Sequence, residues 1–249
     1  MMHNVSEIYE FLNSISPFEL QEKWDNSGLN LGDKNQICQE IYVCLEATAQ
    51  IADTIAPQSL IITHHPLFFK PIKTFYYDDY PANIAKILIE KNCSLIALHT
   101  NFDTTHLNAY FAKDVLGFVG LKADGIALSG AIEAIDFRLL VENIKQKLAI
   151  PSHNPIKCVQ SSDKIDFVSV VCGAGASHLY ENPLGKNACL ITGDIKYHDG
   201  MIAKSRDISL IDVGHYQSER FFSQIMESIL KTKGYQAIIK DSKNPFAYL

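Results

Sequence analysis

Apolar positions along the chain switch between two spacings, and the switches mark out most of its elements. Val5, Ile8, Phe11 and Leu12 recur at helical intervals and predict a helix over 5–12. Ser16-Pro17 gives a cap followed by proline at the first helical position, which predicts a second helix over 19–24. Residues 41–45, 59–63 and 94–98 are short, continuous apolar runs, the mark of strands buried on both faces. Helical patterns over 48–56 and 80–91 separate them, and this β-α-β-α-β order predicts a mostly parallel sheet with helices on its faces. Further on, 117–130 reads as a glycine-rich crossing, 137–148 as an amphipathic helix, and 167–171 and 188–192 as buried strands. Residues 171–177 read as a tight glycine turn. They lack the third glycine and the downstream acid of a dinucleotide fingerprint, so no nucleotide-cofactor site is expected there. A strand ending at Gly214, one long helix over 216–233 and a closing strand over 235–240 complete the pattern.

Composition narrows the class. The chain has 249 residues, 47% of them hydrophobic and 20% charged, as in an ordinary globular protein. A net charge of −6 leaves no basic footprint for nonspecific nucleic-acid binding. No uncharged apolar run approaches the ~18 residues of a membrane span, and the amino-terminal stretch lacks a basic segment followed by an apolar one. A cytoplasmic protein is expected. The six cysteines contain no C-x-x-C pair and lie mostly in apolar runs, which predicts reduced, buried thiols.

Candidate chemistry gathers where strands end. Residues 59–63 deliver His64 and His65 to Pro66, which cannot donate to a ladder, so the strand ends about where the imidazoles begin. Residues 94–98 run into His99, Asp103 and His106, of which at most one of the two histidines is expected to be a direct ligand. The strand ending at Gly214 leads to His215 and Glu219, four apart at the start of a helix and so on one face. The loop Trp24-Asp25-Asn26-Ser27-Gly28 reads as turn chemistry pinned by the only tryptophan. Three strand ends thus offer His64, His65, Asp103, His215 and Glu219. Five ligands exceed the needs of one open site and suit a pair of divalent ions, Zn, Mn, Fe or Ni, with Asp103 as the expected bridge.

The segments EKWDNSGLNLG, LIITHHPLFF, ALHTNFDTTHLN, GDIKYHD and DVGHYQSE, in this order, resemble the GTP cyclohydrolase 1 type 2 homologue family, the Nif-three-like proteins. The likeness runs from about Glu22 to the final helix. It implies a two-domain α/β subunit with mixed sheets flanked by helices, a ring-shaped homohexamer, and a dinuclear metal centre at strand carboxyl ends. Its implied ligands fall on the same five residues. One departure is Glu46, where relatives commonly carry aspartate. The expected organisation is a metal-binding α/β domain from residues 1–120 and 205–249, with a second α/β domain over 121–204, because His215 and Glu219 have to join His64. Two functions are carried forward. One is a metal-dependent hydrolase using a bridging hydroxide on a nucleotide-like or phosphoester substrate, with Glu219 or His99 as proton relay. The other is a noncatalytic metal-binding or adaptor protein acting through protein partners.

Overall fold

The computed structural model describes residues 2–151, 153–181 and 184–247. The fold is mixed α/β, with two principal sheets and helices on them. The chain forms two compact units, the first running to Thr105 and resuming over Phe221–Pro245, the second holding His106–Arg220.

The first unit is built on a five-stranded sheet in the order Ala237–Ile239, Ile41–Cys44, Leu60–Thr63, Ser94–Ala97, Gly28–Leu31. The first four are parallel and Gly28–Leu31 is antiparallel at the edge. Tyr42, Cys44, Ile61 and Leu95 point to one face, where Ile51 and Ala52 of the helix Ala49–Thr54 and Ile84, Ala85 and Leu88 of Ala82–Glu90 bury them. Val43, Ile62 and Ile96 alternate to the other face and are also fully buried. Burial on both faces is why these strands read as unbroken apolar runs. The helix Phe222–Thr232 packs on the strands Ile41–Cys44 and Ala237–Ile239.

The second unit has a six-stranded sheet in the order Lys122–Asp124, Ala127–Asp136, Lys164–Val170, Ala188–Thr192, Ser209–Asp212, Lys157–Val159. Its three central strands, Lys164–Val170, Ala188–Thr192 and Ser209–Asp212, are parallel. The outer pairings are antiparallel. Val171, Leu179, Leu190, Ala203, Ile208 and Leu210 form a core cluster there.

Four expectations from the sequence differ from the structure. Ser209–Asp212, in the stretch 205–249 expected to share a domain with residues 1–120, pairs in parallel with Ala188–Thr192. The helix Tyr197–Ser205 joins these two strands, and such a short crossover lays consecutive strands side by side. The helix expected over 216–233 is two helices, His215–Glu219 and Phe222–Thr232. Only the second carries a long buried stripe (Phe222, Met226, Leu230), whereas Ser218 is tied into a glycine turn of the second unit. Residues 19–24 do not form an α-helix. A 3₁₀ turn over Phe18–Leu20 gives way to loop, because Glu22 N–H donates to Thr100 Oγ1 and Gln21 Oε1 accepts from Ser27 N–H. The glycine-rich crossing over 117–130 contains Lys122–Asp124 and opens the ten-residue strand Ala127–Asp136, paired as a hairpin.

All six cysteines are free thiols, with Cys158 exposed and the other five buried. Burial pushes the Cys44 thiol up to about 12. No helix among the described residues is long and apolar enough to cross a membrane.

Candidate metal centre

In the first unit the chain turns abruptly after Thr63. The N–H groups of His64 and His65 both donate to the Leu45 carbonyl, at 3.0 and 2.9 Å. Regular β geometry would send the two imidazoles to opposite faces, but this turn keeps their centroids 5.2 Å apart. His99 follows the neighbouring parallel strand, with its ring 5.1 Å from His64 and 5.6 Å from His65. One ligand-capable nitrogen from each of the three lies within 4.8 Å of the others. Asp103 opens a π-helical turn over Asp103–Leu107, and its Oδ1 stands 3.5 Å from His64 Nε2. Glu46, just past the end of Ile41–Cys44, reaches within 3.5 Å of His65 Nδ1. The side chain at the position where the family resemblance implies aspartate therefore touches this cluster.

The protonation of two of these rings follows from their partners. The Leu98 carbonyl, which can only accept, lies 2.8 Å from His64 Nδ1. His64 therefore carries a proton on Nδ1, and its Nε2 faces Asp103. Asp25 Oδ1 lies 2.8 Å from His99 Nδ1, and Asp25 Oδ2 accepts from Thr100 N–H at 3.0 Å. Burial works against ionisation of Asp25. The bond and charge of His99 and the bonds from Thr100 outweigh it and hold the carboxyl well below the usual carboxylate range. Asp25 is thus an ionised acceptor that fixes His99, leaving its Nε2 for a cation or a proton. Around them, His64 is fully buried and stacks within 5.1 Å of Phe222, which in turn meets Phe102 edge-on.

The second unit repeats the arrangement with different material. Its three parallel strands deliver Gly173, Asp194 and His215 just beyond their carboxyl ends. Asp194 Oδ2 is 2.8 Å from His215 Nδ1, so this imidazole too is held at Nδ1 by an acceptor. His215 Nε2 stands 2.9 Å from Glu219 Oε2, close enough to share a proton or to face one ion together. Glu219 is 1% exposed. Room for it depends on Gly173, which has φ +62° and where an added Cβ would fall 2.2 Å from Glu219 Oε1. Gly173 N–H donates to Ser218 Oγ at 3.0 Å, locking the turn to the helix His215–Glu219. The glycine turn over 171–177 is confirmed as a turn, and its purpose is to let Glu219 in.

The family model of Duf34/NIF3 (NGG1p interacting factor 3) matches residues 3–245. The chain belongs to this family. Among Duf34/NIF3 relatives, a Helicobacter pylori protein named GTP cyclohydrolase 1 type 2 is 51% identical over 241 residues, covering 97% of each chain. A Campylobacter jejuni protein named GTP cyclohydrolase 1 type 2 homolog is 40% identical, over 98% of this chain and 99% of its own. The fold also matches solved structures at low identity. A Bacillus cereus protein related to NIF3 aligns with TM-score 0.82 at 17% identity, covering 100% of this chain and 99% of its own. A Staphylococcus aureus protein aligns with TM-score 0.81 at 22% identity, covering 99% of each.

Of the residues singled out in the sequence, His64, His65, His99 and Asp103 come together in the first unit, and His215 and Glu219 in the second. His106 opens the second unit, where burial lowers its pKa. Asp25, Asp194 and Gly173 were not recognised as parts of these clusters. Asp25 reads as turn chemistry in sequence because its partner His99 is 74 residues away. The composition of the sites fits a metal. The groups contain imidazole nitrogens and carboxylate oxygens that could hold metal ions, with Nδ1 of His64, His99 and His215 each engaged by an acceptor.

Proposed function

We propose that this Duf34/NIF3 protein binds two divalent metal ions per subunit through His64, His65, Asp103, His215 and Glu219, with Asp103 shared between the ions. We further propose that it is a metal-dependent hydrolase of a nucleotide-like or phosphoester substrate, working as a ring-shaped homohexamer. The observation that carries the metal reading is the second contact of the histidines. The ligands His64 and His215 are each held at Nδ1, by Leu98 O and Asp194 respectively, at 2.8 Å in both cases. Ligating histidines are held in this way, since an acceptor at one ring nitrogen sets the tautomer and raises the basicity of the other. The nucleotide-like substrate rests on the names of the relatives.

A bound pair of divalent ions supplies Lewis acidity and a nucleophile at neutral pH. The chain's own residues do the rest. His64 and His65 present neutral donors from one turn, and Asp103 and Glu219 contribute negative charge that offsets the ions. His99 is oriented by ionised Asp25 and can hold or pass a proton at Nε2. Its ring is buried but borders the partly exposed His65, so proton movement there stays beside the reacting centre.

The test is to load the purified protein with Mn, Fe or Zn and to screen it against GTP, other nucleotides and generic phosphoesters. Turnover that disappears in His65→Ala is expected. Metal bound at two ions per subunit with no turnover for any substrate would move the reading to a noncatalytic metal-binding protein.

A further inference from the structure

The first unit leaves a large aromatic surface uncovered beside its histidines. Trp24 is 57% exposed and Phe69 is 48% exposed. Their ring centroids lie 5.5 Å apart with planes at 45°, and both meet the His99 ring edge-on, at 5.9 and 6.0 Å. The two rings come from different loops, and those loops are fastened together. Asn26 Nδ2 donates to the Phe68 carbonyl at 2.7 Å, and Leu67 N–H donates to Asn30 Oδ1 at 2.9 Å. Beside Trp24, Asp25 is bonded to His99 and Thr100. The rings are therefore held in place from behind while their outer faces stay open.

Two exposed aromatic faces, fixed in position next to a cluster of histidines, suit a planar ring better than an aliphatic or purely anionic ligand. At 5.5 Å the rings are too close to admit a third between them, so a ligand ring would lie against their open faces in offset stacking. We propose that Trp24 and Phe69 form a stacking platform that selects a substrate with a planar heteroaromatic ring, a nucleobase being the simplest case, and sets that ring beside His99. The proposal deepens the nucleotide-like reading above and rests on it for the identity of the site.

Trp24 is the only tryptophan in the chain, so its fluorescence reports on the platform directly. The metal-loaded protein is titrated with GMP and, as a base-free control, with ribose 5-phosphate. Saturable quenching by GMP is expected, with ribose 5-phosphate binding at least tenfold more weakly. Phe69→Ala should raise the GMP Kd about tenfold or more, the usual consequence of losing a base-stacking aromatic. Trp24→Ala, followed by equilibrium dialysis, should do the same, and Trp24→Phe should restore most of the affinity. Metal content and melting temperature are measured for each variant and should match the wild type, which separates the platform from the metal ligands. The proposal is overturned by equal binding of GMP and ribose 5-phosphate, by no saturable GMP binding, or by variants that bind GMP within twofold of the wild type. A protein that binds GMP through the platform but no metal would leave this inference standing and remove the metal reading instead.

Discussion

The two histidine-carboxylate clusters use one device on different supports. In the first unit, His64 is fully buried, its Nδ1 bonded to a backbone carbonyl, and Asp25, which fixes His99, has a fully buried side chain. In the second unit, His215 has a third of its side chain exposed and is fixed by Asp194, which is half-exposed. The first cluster is embedded in the core, so its geometry and the stability of the fold depend on the same contacts. The second is set on a turn at the rim of its sheet, where geometry depends on one glycine and one surface carboxylate. Substitutions around the first should therefore cost stability as well as function, whereas loss of the surface carboxylate behind the second should cost metal affinity alone.

The largest effect is expected from Phe222→Ala. Phe222 is fully buried against His64 and Phe102, and its truncation should cost about 3–5 kcal/mol in chemical denaturation. Next is Gly173→Ala in the second unit. A side chain at φ +62° costs about 1–2 kcal/mol by itself. The added Cβ also displaces Glu219, so metal affinity should fall along with the melting temperature. A melting temperature lowered with metal affinity intact would show that Glu219 is not a ligand. Asp25→Asn should lower turnover with metal content kept, through loss of the carboxylate that orients His99. It should also change the acid limb of stability. The folded pKa of Asp25 lies below its ordinary value of 3.8, so its contribution is present above that value and disappears as the pH falls through the depressed one. Thermal melts from pH 6 to pH 2 should show the wild type losing more stability than Asp25→Asn. Asp194→Asn is the mildest. Its affinity loss should reach about tenfold, with an unchanged melting curve, since the Asp194 side chain is half in water. Equal stability losses in Asp25→Asn and Asp194→Asn would remove the contrast between the two supports.

Much of the fold was legible because buried parallel strands announce themselves as apolar runs. Leu60–Thr63, Ser94–Ala97 and Ala188–Thr192 all lie where the runs placed them. The strand Ala127–Asp136 escaped because only its first residues are buried, and Gly130 and Glu133 interrupt its apolar pattern. Ser209–Asp212 was read as a strand correctly, but its sheet could not be chosen from sequence pattern alone. The local crossover from Ala188–Thr192 settles its neighbour. The histidines and carboxylates were visible because each follows a strand end. The residues that orient them were not. Asp25 and Asp194 lie 74 and 21 residues from the rings they fix, in stretches rich in turn formers, and periodicity carries no trace of such pairings.

Metal content per subunit, by elemental analysis of the wild type and of Asp103→Ala after equal loading, bears most directly on the metal-binding reading. Two ions per subunit are expected in the wild type, and neither should survive in Asp103→Ala, because the shared carboxylate offsets the charge of both. His64→Ala, which removes a single donor, should keep one. A wild type that takes up no metal, or an Asp103→Ala protein that still holds two ions, would contradict it.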